Sequence, residues 1–161
     1  MIQFSGQTEL LNQQLHQAHR NAINSELSAQ GLGEIGHPML LTILNSFGND
    51  DCNCSCPSQQ ELAKRLHISP AAVANSLKSL EKGEYIRREP VQGDARRNQV
   101  LLTEKGRRAV EGCQCVFETV SHRMLAGFTP EENEVLLAFR QRMLDNLRNA
   151  YPPSVQTKEE S

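Results

Sequence analysis

Five cysteines are the most reactive side chains of this 161-residue chain, and their spacing is unusual. Cys52, Cys54 and Cys56 alternate along one stretch beside Asp50 and Asp51, and Cys113 and Cys115 lie two apart further on. Thiolates so placed can ligate a soft metal such as zinc or copper, or react with an oxidant. The spacing is not the C-x-x-C of a zinc knuckle or a redox helix, so an incidental role stands beside the sensing one. On a helix, Cys113 and Cys115 point about 200° apart, so at most one can join a cluster. Cys113 also falls on an apolar stripe, where free cysteine packs as a small hydrophobe. His16, His19, His37, His67 and His122 read as surface or interface residues, and nothing in the sequence requires a cofactor.

A second group of residues suits recognition rather than reaction. Ser69 and Pro70 open a segment in which Ala71, Ala72, Asn75, Ser76 and Lys78 are short or hydrogen-bonding. Small side chains let a backbone approach the floor of a DNA major groove, and the Asn75 amide can pair bidentately with adenine. Further on, Arg96 and Arg97 stand beside Asp94, which can hold a guanidinium extended by an ion pair and present it to a narrow minor groove. Lys64, Arg65, Arg87 and Arg88 are phosphate contacts or solvated charges.

Charge supports this grouping by distribution, not by total. The chain carries 17 basic and 19 acidic residues, net −2. Ser58 to Arg108 holds 11 basic and 6 acidic residues (net +5), leaving 6 basic and 13 acidic (net −7) elsewhere. A basic module sits in an acidic frame. Aromatics are only 4% with no Trp, which argues against stacking platforms for single strands. No nucleophile–base pair, Gly-rich phosphate loop or H-x-x-x-H is present, which argues against an enzyme. No apolar run spans a bilayer and no basic-then-apolar start is seen, so the expectation is a cytoplasmic protein without a membrane partner.

The elements that would carry these residues follow from periodicity and caps. Leu11, Leu15, Ala18 and Ala22 mark a first helix ending near Gly31 to Gly36, and Pro38 opens a second with Leu40, Leu41, Ile43, Leu44 and Phe47. Gly48 to Pro57 reads as a loop. Ser58 with Glu61, Ser69 with Pro70, and Thr129 with Pro130 and Glu132 mark three helix starts. Two short helices, Ser58 to Leu66 and Ser69 to Lys82, are then followed by strands Tyr85 to Glu89 and Gln99 to Leu102. Pro90 to Asn98 joins them, with a tight turn at Gly93-Asp94. Leu62, Ala63, Leu66, Ile68, Val73, Leu77 and Leu80 would hold the two helices together. Thr103 caps a long helix with Val110, Cys113, Phe117, Val120 and Met124 on one stripe, and a last helix carries Leu136, Phe139, Met143 and Leu147.

The fold class implied is mainly α: a winged helix-turn-helix with a two-stranded wing and long flanking helices. The expected division is 1–37 (dimerisation helix and connector), 38–102 (winged lobe), 103–150 (dimerisation helices) and 151–161 (loose tail). Long helices that cannot bury their stripes in so small a lobe imply pairing with a second copy.

The stretch E-L-A-K-R-L-H-I-S-P-A-A-V (Glu61 to Val73), then S-L-E-K (Ser79 to Lys82), Y-I-R-R (Tyr85 to Arg88), and D-x-R (Asp94 to Arg96) with L-T-x-x-G (Leu102 to Gly106) resembles the MarR family of bacterial transcriptional regulators. The resemblance runs from about Pro38 to Gly106. It implies double-stranded DNA and a second copy of the chain as partners, with a pseudo-palindromic operator. It also implies Arg96 as the wing arginine with Asp94 orienting it, and a repressor released by a small ligand, often aromatic, whose identity the sequence does not give. Alternatives are a metal- or thiol-responsive regulator using Cys52, Cys54 and Cys56, and a winged helix that docks proteins. One departure concerns the helix-ending glycine. Family members usually carry it directly before the aromatic-aliphatic pair, whereas here Gly83 is one place earlier and Glu84 takes its position, implying that the helix ends a residue sooner.

Overall fold

The computed structural model describes residues 6–48, 57–91 and 94–151. Cys52, Cys54 and Cys56, most of the loop around them, the first half of the Gly93-Asp94 turn and the tail after Tyr151 lie outside the described residues. The elements run α1 (Gly6–Ala29), α2 (Pro38–Gly48), α3 (Gln59–Leu66), α4 (Pro70–Lys82), β1 (Ile86–Val91), β2 (Asp94–Leu102), α5 (Glu104–Met124) and α6 (Pro130–Ala150). This is a winged helix-turn-helix. The chain divides into two units, Met1–Ser121 and His122–Ser161, and α6 belongs to the second.

Each cap named from the sequence makes the bond it needs. Ser58 Oγ accepts from the Glu61 N–H at 3.2 Å while Glu61 Oε2 accepts from the Ser58 N–H at 2.6 Å. Thr129 and Glu132 repeat this reciprocal pair at 3.2 and 2.8 Å. Such boxes satisfy donors that the first turn of a helix leaves bare, and each contributes about 1 kcal/mol. Between α3 and α4 the chain turns through His67, in the left-handed region at φ 53°. Ile68, expected to join the core, is instead 41% exposed, because it lies in this turn after the chain has left the α3 stripe.

The core of the first unit gathers Leu40, Leu41 and Leu44 of α2, Leu62 and Ala63 of α3, Val73, Leu77 and Leu80 of α4, and Val110, Cys113, Val116 and Val120 of α5. Full burial of a leucine such as Leu62 or Leu77 stabilises by about 1.5–3 kcal/mol. Ile23 and Leu27 of α1 are buried in this core and Ala22 packs against it, whereas Leu10, Leu11 and Leu15 are exposed. In the second unit no residue of α6 is buried, and Val135, Phe139, Met143 and Leu147 are each at least half exposed.

The wing is longer than its sequence suggests. β1 and β2 pair antiparallel from Ile86↔Leu102 at the root to Val91↔Asp94 at the far end, and Pro90 faces Asn98. The segment expected to join two short strands is therefore mostly strand. Residues 94–98 are too polar to signal a strand by themselves, but the pairing of Asn98 with Pro90 and of Asp94 with Val91 extends the ladder on both sides of residues 95–97. The register is irregular between Pro90 and Val91, where proline has no N–H to offer the ladder.

At the root, α4 ends at Lys82 and Gly83 follows with φ −78°, an ordinary conformation. The left-handed position falls on Glu84, at φ 60°. The backbone has kept the turn where a glycine usually stands, while the glycine has moved. Gly83 serves a different need: a Cβ there would meet the Tyr85 ring at 2.7 Å. A non-glycine residue in the left-handed region costs about 1–2 kcal/mol, part of which a glycine gives back as chain entropy. Glu84→Gly is therefore expected to raise stability by about 0.5–1 kcal/mol, read as a higher urea midpoint at unchanged slope.

Candidate nucleic-acid interface

Seen down its axis, α4 has two faces. Val73, Leu77 and Leu80 are buried, and Ala71, Asn75 and Lys78 are exposed on the opposite side, with Ala72 at the boundary. Ser69 fixes the entry: its Oγ accepts from the Ala72 N–H at 3.1 Å, and Pro70 occupies the first turn, where no N–H is missed. The outer face of α4 is shallow enough for close approach to a duplex and ends in one amide and one ammonium group.

Ser76 does not belong to that face. It is 1% exposed, and its hydroxyl donates to the Ala72 carbonyl at 2.8 Å. Three residues along a helix turn the chain by about 300°, which places Ser76 roughly 60° from Val73 on the core side. Residue type suggested a groove contact, but position forbids it.

Asp94, Arg96 and Arg97 occupy the first four positions of β2 together with Ala95, at the end of the wing farthest from its root. Arg87 and Arg88, on β1, carry carboxylate partners. Arg87 Nε lies 2.7 Å from Glu89, and Arg88 Nε lies 3.2 Å from Glu81, which joins the wing to the last turn of α4. Half-exposed pairs of this kind contribute little to stability but reduce the positive field a phosphate would meet. Arg65 stacks over the Phe47 ring at 4.9 Å, and Lys64 is exposed.

The wing is anchored by a knot of backbone contacts that the L-T-x-x-G motif encodes. The Thr103 hydroxyl donates to the carbonyls of Glu84 at 2.7 Å and Tyr85 at 3.1 Å, and accepts from the Gly106 N–H at 2.9 Å. The Thr103 N–H donates to the same Tyr85 carbonyl at 3.1 Å. Gly106 faces that carbonyl so closely that a Cβ would overlap its oxygen. The motif was visible in the sequence, but its partner, the corner between α4 and β1, lies some 20 residues away and gave no signal.

Cys113 leaves the list of sensing residues. It is fully buried in the core, where burial pushes its thiol up to about 11 from 9.0. The neutral thiol is the form that fits. Stability from this site is thus complete below pH 9 and falls as pH rises through about 11. Cys115 is exposed, with Gln30 Nε2 at 3.9 Å from its sulfur. Brief iodoacetamide treatment of native protein at pH 8 is expected to modify Cys115 and spare Cys113 until denaturant is added, as fragment-ion mass spectrometry of the tryptic peptide 109–123, which holds both, will show. No group of three or more His, Cys, Asp or Glu that could hold a metal occurs among the described residues, and none of the described helices is long and apolar enough to cross a membrane.

Residues 30–97 match the family model described as MarR family. A relative in Bacillus subtilis (strain 168), the uncharacterized HTH-type transcriptional regulator YdgJ, is 35% identical over 57% of this chain and 56% of its own. The chain spans about half the length of the curated relatives it matches. Among solved structures, S. aureus MepR in complex with DNA superposes with a TM-score of 0.73 at 24% identity, covering 86% of this chain and 97% of that one. The transcriptional regulator PA3341 superposes with a TM-score of 0.65 at 25% identity, covering 88% and 98%.

Proposed function

We propose that the chain is a MarR-family transcriptional regulator that binds double-stranded DNA as a homodimer, a reading supported by the match of residues 30–97 to that family's model. The observation that carries this reading is the free outer face of α4, with Asn75 and Lys78 exposed, beside a wing whose far end is rich in arginine. In this reading the lobe at 38–102 meets DNA, Asn75 reads a base edge, and Arg96, oriented by Asp94, enters the minor groove. Ser69, Pro70, Ala71 and Ala72 shape the approach of α4, and Lys78 and Arg97 add contacts to phosphate. Ser76 takes no part.

The helices outside the lobe supply the two-fold assembly. The exposed leucines of α1 and the wholly unburied stripe of α6 are surfaces a second copy would cover. Two copies related by a two-fold axis would engage successive major grooves, and so select a pseudo-palindrome with half-sites about 10 base pairs apart. Repression of a target promoter, with release by a small ligand that favours a different spacing of the lobes, completes the proposal. Localisation in the cytoplasm follows from that role.

Genomic fragments selected by the purified protein provide the test. Affinity for a selected fragment should exceed that for random duplex at least about 1,000-fold and fall steeply as salt is raised. A protein-docking winged helix would show neither preference nor slope, and that outcome would remove the reading.

A further inference from the structure

The corner between α4 and β1 carries the two elements that would read DNA, and one side chain of α5 holds it from outside. Lys105 Nζ donates to the Gly83 carbonyl at 2.7 Å and lies 4.5 Å from the centre of the Tyr85 ring. Gly83 is the residue that caps the C-terminal end of α4, where carbonyls lack partners within the helix and the dipole is negative. An ammonium there satisfies an orphan acceptor and complements the dipole, while the ring face adds a cation–π attraction. The ring itself is fixed, because Tyr85 is buried and Gly83 leaves it room. Thr103, two residues before Lys105, donates to the next two carbonyls of the same corner, those of Glu84 and Tyr85. Three consecutive carbonyls at the junction of recognition helix and wing thus accept hydrogen bonds from the first turn of α5 and its cap.

We propose that Lys105 is a positioning residue for DNA recognition: by bridging the C-terminus of α4 and the Tyr85 ring, it fixes the angle between recognition helix and wing and ties both to α5. This inference rests on the DNA-binding reading above and deepens it. Lys105 spends its charge on the corner, so it is not a phosphate contact. What it controls is whether α4 and the wing can occupy their grooves together, a requirement of specific complexes that random duplex does not impose.

The test compares Lys105→Met with the parent protein on a selected genomic fragment and on random duplex, across a salt series. The expected result is a loss of about tenfold in affinity for the selected fragment, with affinity for random duplex and the salt slope on either DNA unchanged, and recovery of most of the loss in Lys105→Arg. Lys105→Gln, which keeps a donor without the charge, must show the same split should the methionine variant fail to fold. An equal loss on both DNAs, a slope reduced by about one per subunit, or no loss on the selected fragment overturns the proposal. Failure of the parent protein to prefer any fragment would instead count against the DNA-binding reading itself.

Discussion

Arg96→Ala is expected to weaken binding to a selected operator by about 1–3 kcal/mol for each subunit, and to reduce the salt slope by about one per subunit. Arg96 is the third residue of β2, six residues before Leu102 of the root pair and between the Pro90↔Asn98 and Val91↔Asp94 pairs, close to the outer limit of the wing. A cation carried there can enter a narrow A·T minor groove, where the potential is most negative. Arg87→Ala serves as the comparison. Its guanidinium already lies 2.7 Å from Glu89, so removing it also frees a carboxylate, and the loss of affinity should be several-fold smaller. Fluorescence anisotropy over a salt series reads both quantities. Equal effects of the two substitutions would mean that position along the wing does not matter.

Gly106→Ala is expected to be the most damaging single methyl that can be added to the described chain. The new Cβ would overlap the Tyr85 carbonyl oxygen, a backbone atom already held by the Thr103 N–H and hydroxyl. Neither partner can swing aside as a flexible side chain would, so α5 must separate from the wing root or the root must distort. A loss of at least about 3 kcal/mol follows, or roughly 10 °C in melting temperature for a chain of this size. Gly36→Ala is the matching control, since its Cβ would meet nothing nearer than Ser79 Oγ at 3.9 Å. Thermal melts followed by circular dichroism distinguish the two.

Legibility in the sequence followed the range of the interactions. Ser58 with Glu61, Ser69 with Pro70, and Thr129 with Glu132 act within one helical turn, and each was readable from residue type and spacing. The wing was readable in kind but not in extent, because Asp94 and Asn98 join the ladder through Val91 and Pro90 across the ribbon. The short polar side chain of Ser76 suits a groove, but the helical period alone places it inward. The left-handed turn at Glu84 ran against residue preference altogether. Gly83 is held in place by the Tyr85 ring, and the chain accepts the strain next door. The Cys52, Cys54 and Cys56 group remains a feature of the sequence alone, while Cys113 is accounted for by packing.

The bare stripe of α6 carries a consequence for how such a subunit ages. A helix with no fully buried residue draws little support from burial within its own unit, so under the dimeric reading its order depends on how many copies surround it. Dilution would then fray this end first, offering proteases a ready entry and making turnover quickest when the molecule is scarce. Abundance would set lifetime as well as occupancy.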